Sequence, residues 1–227
     1  MSNGAAGGAA TARFDVIEDQ GTRYVRIGLD GGTVRAEAGA LSYMRGAIEL
    51  DTPLPGPGRA IRHVLAGEAV LRPSYSGTGE IFLAPSLGGY HTLELAGEAW
   101  ILESGTYWAS DGSVELGLHR ETVMTSLWSG EGLIDFQTRV SGTGRVVVNT
   151  IGTIAEIELS GERLTVEGKQ VIARTAALDY TIRRPSRSLL GSWLSGEGLV
   201  RVYSGTGRVL LTTAPFWNHR LLAAVER

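Results

Sequence analysis

Leu199-Val-Arg-Val-Tyr-Ser-Gly-Thr-Gly-Arg-Val-Leu-Leu-Thr-Thr213 carries the signal that decides the fold class. Two runs rich in β-branched and apolar residues flank Ser204-Gly-Thr-Gly207, and such residues suit the pleated backbone of a strand. Glycine reaches positive φ without a Cβ clash, and Ser and Thr hydroxyls satisfy nearby backbone groups, so the tetrapeptide reads as a hairpin turn. The same four residues begin at Ser76 and Ser141, giving intervals of 65 and 63 residues. Gly77, Gly79, Gly142, Gly144, Gly205 and Gly207 are therefore expected to be structural turn glycines.

A second marker keeps the same period. Gly67-Glu68, Gly130-Glu131 and Gly196-Glu197 precede the three tetrapeptides, and Glu80-Ile-Phe-Leu83, Arg145-Val-Val-Val148 and Arg208-Val-Leu-Leu211 follow them. A looser likeness joins Val34 to Met44, Trp100 to Ser110 and Leu164 to Arg174, with Gly39, Gly105 and Gly168 at matching places. The expected organisation is a Gly/Ala-rich tail and entry strand (1–21), then β repeats at 22–88, 89–152 and 153–227, the last with a closing segment. Units of about 64 residues exceed those of thin solenoids and have room for several strands each. The expected fold is all-β: three antiparallel β repeats in a pseudo-threefold arrangement, forming one compact domain.

Local alternation supports strands. Ile134, Phe136, Thr138 and Val140 share one face of a run whose other face carries Asp135, Gln137 and Arg139. Leu93 with Leu95, and Ile157 with Leu159, face inward while their neighbouring glutamates face out. A sheet with one wet face is normally antiparallel. Before each Gly-Glu, apolar residues at helical spacing (Ile61, Val64, Leu65; Met124, Leu127, Trp128; Leu190, Trp193, Leu194) allow one or two helical turns.

Composition narrows the function classes. The 227 residues include 32 Gly and no Cys, with a net charge of −3. A chain of this length buries an ample core without staples. Absence of Cys removes disulfide scaffolds, thiol nucleophiles and Cys-ligated metal sites. The acidic balance opposes a large basic surface for nucleic acid. No stretch has the roughly 18 consecutive apolar residues of a membrane span. The uncharged start, Met1-Ser-Asn-Gly-Ala-Ala, lacks the basic and apolar blocks of a secretory signal, so a cytoplasmic location is expected.

The ordered set of Ala38-Gly-Ala-Leu-Ser-Tyr-Met-Arg-Gly-Ala-Ile-Glu-Leu50, three Gly-Glu elements and three Ser-Gly-Thr-Gly strings resembles the altered inheritance of mitochondria protein 24 family over about residues 25–215. The resemblance implies a fold similar to the tryptophan RNA-binding attenuation protein, present three times per chain, and possible assembly into larger oligomers. The family's eukaryotic members are mitochondrial and linked to inner-membrane organisation. It has no established catalytic residues, so none is carried over, and a shared fold does not transfer tryptophan or RNA binding.

Reactive patterns are missing. His63, His91, His119 and His219 make no His-Glu-x-x-His motif, and neither a phosphate-binding Gly-x4-Gly-Lys-Ser/Thr nor Gly-x-Ser-x-Gly occurs. Around a threefold axis, Glu68, Glu131 and Glu197 would occupy equivalent places, making them weak metal candidates, since converging carboxylates repel unless a cation or protons intervene. The plainer reading leaves each in water. Arg183, Arg184 and Arg187 form a small basic cluster that reads as a solvated loop. The sequence thus points to a non-enzymatic scaffold or interaction protein without cofactors. It would act as a homo-oligomer with an unidentified protein partner. The alternative is a small-ligand or nucleic-acid binding module using grooves between repeats, and an enzyme using His and Glu is the third possibility.

Overall fold

The computed structural model describes residues 11–52, 72–86, 88–123, 133–167, 170–183 and 200–212. Every regular element among them is a strand, so no described helix is long and apolar enough to cross a membrane. The first seven strands are β1 (Thr11–Asp19), β2 (Thr22–Ala36), β3 (Leu41–Asp51), β4 (Ser74–Leu83), β5 (Gly89–Ala96), β6 (Trp100–Leu102) and β7 (Tyr107–Asp111). Then come β8 (Glu115–Val123), β9 (Leu133–Ser141), β10 (Thr143–Thr150), β11 (Ile154–Glu167), β12 (Val171–Thr175), β13 (Asp179–Arg183) and β14 (Val200–Thr212). They form two antiparallel sheets. Chain contacts divide the protein into two compact units, Met1–Ser86 with Ala109–Gly112, and Leu87–Trp108 with Ser113–Arg227.

In the first unit β4 lies between β2 and β3, while β1 and the end of β7 also pair with β2. β2 buries Val25, Ile27 and Leu29 on alternate residues, and then Val34 and Ala36. The phase changes because the register against β4 slips between Asp30 and Gly32. One extra residue at a bulge turns the rest of a strand over, keeping apolar side chains inward on both sides of the slip. Tyr75, Ile81 and Leu83 of β4 are buried, whereas β3 is exposed along nearly its whole length.

The second unit contains the β5–β10 pair and the order β11-β14-β12-β6-β9-β8, with β13 also on β14. One apolar cluster joins Leu93, Leu95, Trp100, Leu102, Tyr107, Val140, Val146, Val148 and Leu210. A second joins Leu159, Val166, Val171, Leu178, Tyr203 and Val209. The alternation expected of β5 and β11 is present: Leu93, Leu95 and Leu159 are buried, and Glu94 and Glu158 are exposed.

The tetrapeptides do not form the expected turns. Ser76–Gly79 lies inside β4, where Thr78 faces Asp30 of β2 on one side and Ala47 of β3 on the other. Ser204–Gly207 lies inside β14. Only Gly142 interrupts a strand, and the chain does not fold back there: β9 pairs with β8 and β6, whereas β10 pairs with β5. The physical reason is clearest at Gly77 and Gly79, with φ of 124° and 153°. A Cβ at either would strike a carbonyl oxygen of β3, Ala47 O or Arg45 O respectively. These glycines permit a bent strand with a close neighbour, a demand that uses the same residue type as a turn.

The three strings share a pairing register. Gly79 faces Leu29, Gly144 faces Leu95 and Gly207 faces Leu159. Five residues beyond each leucine, Val34 faces Tyr75, Trp100 faces Val140 and Leu164 faces Tyr203. The helical turns expected at 61–65, 124–128 and 190–194 lie outside the described residues.

Candidate functional site

Glu68, Glu131, Glu197, His63, His219, Arg184 and Arg187 also lie outside the described residues. Among the described residues, no group of three or more His, Asp or Glu is placed to hold a metal ion. His91, on β5 opposite Val148, is partly buried. Burial lowers its pKa, outweighing the opposite pull of Glu156. His119 lies apart from it on β8, opposite Gln137. The two described histidines, His91 and His119, lie on different strands in different sheets.

Among the described residues, two polar clusters of the second unit join side chains far apart in sequence. The first surrounds Glu103, just beyond β6. Its carboxylate lies 2.6 Å from the Arg201 guanidinium, each side chain only 16% exposed. Gln137 Nε2 donates to Glu103 Oε1 at 2.9 Å. Gln137, expected on a wet strand face, is 2% exposed, because this ion pair occupies the face it points to. Tyr180 completes the cluster, with the Arg201 guanidinium 5.9 Å and the Arg174 guanidinium 5.3 Å from its ring centre. Burial raises the pKa of Tyr203, so its phenol is neutral at physiological pH. Burial alone disfavours the Arg201 charge, but Glu103 more than offsets this and holds the proton tightly.

The sequence contains an unused signal for this cluster. Glu37, Glu103 and Glu167 each stand three residues after Val34, Trp100 and Leu164. In the first unit Glu37 takes a similar role, accepting from Arg72 at 3.2 Å.

The second cluster sits where the chain leaves β5. Glu98 Oε2 accepts from the Ala96 backbone N–H at 3.0 Å, and Glu98 Oε1 accepts from Arg208 Nη2 at 2.6 Å. Arg208 also reaches Glu156 at 2.9 Å and lies 4.9 Å from the Trp100 ring centre. Glu162 repeats the backbone contact, accepting from Ser160 N–H at 2.9 Å. Burial pushes the Glu98 pKa up, but backbone N–H groups, Trp100 and Arg208 pull it further down, leaving it below its ordinary value. A depressed carboxylate adds stability above its unfolded pKa and loses it as pH falls through the folded one. Glu98→Gln should therefore cost about 1 kcal/mol near neutral pH. That cost should shrink in acid, where wild-type Glu98 also becomes neutral. Urea midpoints across the acid range check this; a deficit that stays constant into acid contradicts it.

In both clusters an ion-paired carboxylate and guanidinium hold neighbouring strands in register. Three of the five exposed large apolar side chains among the described residues lie on β3, in the first unit. Tyr43 is 55% exposed while stacking on Phe82 at 4.3 Å, and Met44 and Leu50 are also exposed. Arg45 pairs with Glu80 across to β4. β3 ends its sheet and bonds only to β4, leaving an 11-residue edge open among the described residues. An open strand edge bearing apolar side chains is an interaction surface.

The chain is similar to known proteins. An uncharacterized protein of Streptococcus pyogenes serotype M6 is 28% identical over 211 residues, spanning 88% of this chain and 84% of its own. The crystal structure of protein SPYM3_0169 from Streptococcus pyogenes superimposes with a TM-score of 0.73 at 26% identity, covering 96% of this chain and all of the other. The family model described as Mitochondrial biogenesis AIM24 matches residues 14–214. Because that match takes in both units and nearly every described strand, the chain belongs to the Mitochondrial biogenesis AIM24 family.

Proposed function

We propose that this protein is a non-enzymatic scaffold or interaction protein that works through shape and self-association. Its framework is three related β units around a pseudo-threefold axis, akin to the small antiparallel unit of the tryptophan RNA-binding attenuation protein. The supporting observation is the shared register: the last glycine of each tetrapeptide faces a leucine, Gly79 with Leu29, Gly144 with Leu95 and Gly207 with Leu159. These matching pairings among the described residues support a framework of related units. The long edge of β3 is where such a framework can meet another chain.

Sedimentation velocity across a concentration series tests the proposal. The expected result is concentration-dependent growth above the 24.1 kDa of one chain. A single species of one-chain mass at every concentration overturns self-association. A thermal-shift screen tests the rival class, because a ligand that raises the melting temperature with dose binds the folded state.

A further inference from the structure

Two buried polar groups beside the Glu103–Arg201 ion pair have no hydrogen-bond partner among the described residues: the Gln137 side-chain carbonyl and the Tyr203 hydroxyl. Gln137 is 2% exposed and Tyr203 is fully buried. Taking an amide oxygen or a hydroxyl out of water without a new hydrogen bond costs more than one such bond normally contributes, so folded interiors keep few of them.

Turning the Gln137 amide over does not satisfy it. Its Nε2 donates to Glu103 Oε1 at 2.9 Å, and the reversed amide would set its own oxygen against a carboxylate oxygen. The carbonyl is therefore fixed as an acceptor that requires a donor other than Glu103. Tyr203 has the opposite need. Burial keeps the proton on its phenol, and the neighbouring Arg201 guanidinium can only donate. The hydroxyl hydrogen still requires an acceptor. An unmatched acceptor and an unmatched donor thus flank one ion pair.

Related positions along the chain do without this carbonyl. Gln137 stands three residues before Val140, and the same step back from Tyr75 and Tyr203 reaches Arg72 and Val200. Arg72 pairs with Glu37 at 3.2 Å, and Val200 is a buried apolar residue, so neither side chain carries an acceptor.

We infer that this cluster is a binding site for internal water. One molecule donates a hydrogen to Gln137 Oε1, and the Tyr203 hydroxyl donates to that molecule or to a second one beside it. Water is the smallest guest that both donates and accepts, and a buried water makes about three hydrogen bonds to groups of this kind. The Glu103 carboxylate is the acceptor for a remaining hydrogen. Bound water would extend the polar contacts of β9 toward β14, two strands that do not pair with each other. The inference is independent of self-association.

A crystal structure of the wild-type chain, at a resolution that shows ordered water, tests it directly. The expected result is a water within about 3.2 Å of Gln137 Oε1, linked to the Tyr203 hydroxyl directly or through one more water. No density beside that oxygen, or a protein donor in its place, overturns the site. Tyr203→Phe gives a second reading in solution. Deleting a hydroxyl that holds water breaks a satisfied network, so the urea midpoint should fall. A bare buried hydroxyl is itself a cost, so a midpoint that stays level or rises overturns the part assigned to Tyr203.

Discussion

Arg201→Met is expected to lower the free energy of unfolding by about 3 kcal/mol, because removing one member of a buried ion pair strands the other. Methionine keeps much of the arginine's length and apolar contact and removes its charge. Glu103, 16% exposed and 2.6 Å from the guanidinium, would retain the Gln137 amide, which cannot balance a full charge. Adding Glu103→Leu should recover most of the loss, since a buried ion pair replaced by apolar residues of similar size is often neutral. Lowering the pH should recover part of the single variant's loss, as protonation neutralises the stranded carboxylate. That dependence has the opposite origin to the one expected for Glu98→Gln, where acid removes a wild-type advantage. Urea unfolding followed by tryptophan fluorescence reads all three variants. If the double substitution costs as much as the sum of both single ones, the ion pair is not the source of the effect.

Gly79→Ala is expected to cost on the order of 3 kcal/mol, combining backbone strain with overpacking. At φ 153° an L side chain is disfavoured, and its Cβ would meet the Arg45 carbonyl and the Gly46 Cα. Those atoms are backbone held by the β3–β4 ladder, so relief requires the two strands to part. The effect should therefore appear in β3 as well, as faster hydrogen exchange at the amides paired with Gly77 and Gly79. Gly28→Ala is the control: Gly28 lies in the same unit with no atom near its missing Cβ and no positive φ. Its change should stay within about 0.5 kcal/mol. Equal losses at both positions would show that helpful glycine flexibility, and not the close approach of β3, governs Gly79.

The all-β class was legible because strands of period two and frequent glycines dominate the chain, and these are local properties. Leu93, Leu95 and Leu159 lie where alternation places them, since a strand's side-chain direction depends on nothing beyond its own backbone. The role of Ser-Gly-Thr-Gly was not legible. A turn glycine and a mid-strand glycine beside a neighbouring carbonyl look identical in one dimension; Ala47 and Arg45 are distant in sequence from Gly77 and Gly79. The burial of Gln137 was not legible for the same reason: alternation says which residues share a face, but what covers that face depends on other strands.

The candidate residues divide in the same manner. Sequence spacing singled out Glu68, Glu131 and Glu197, which lie outside the described residues, and overlooked Glu103 and Arg201, which the structure joins. Those two are almost a hundred positions apart, and only the register of β14 in its sheet sets one beside the other.

By itself the sequence determined the strand content, the recurring tetrapeptide and the absence of any thiol or familiar reactive motif, because each is written in neighbouring residues. Tertiary structure alone decided that most of the tetrapeptide glycines lie within strands, that Gln137 is buried against an ion pair, and that β3 ends its sheet among the described residues. Pairing joins segments far apart in the chain, and its energy depends on which backbones meet.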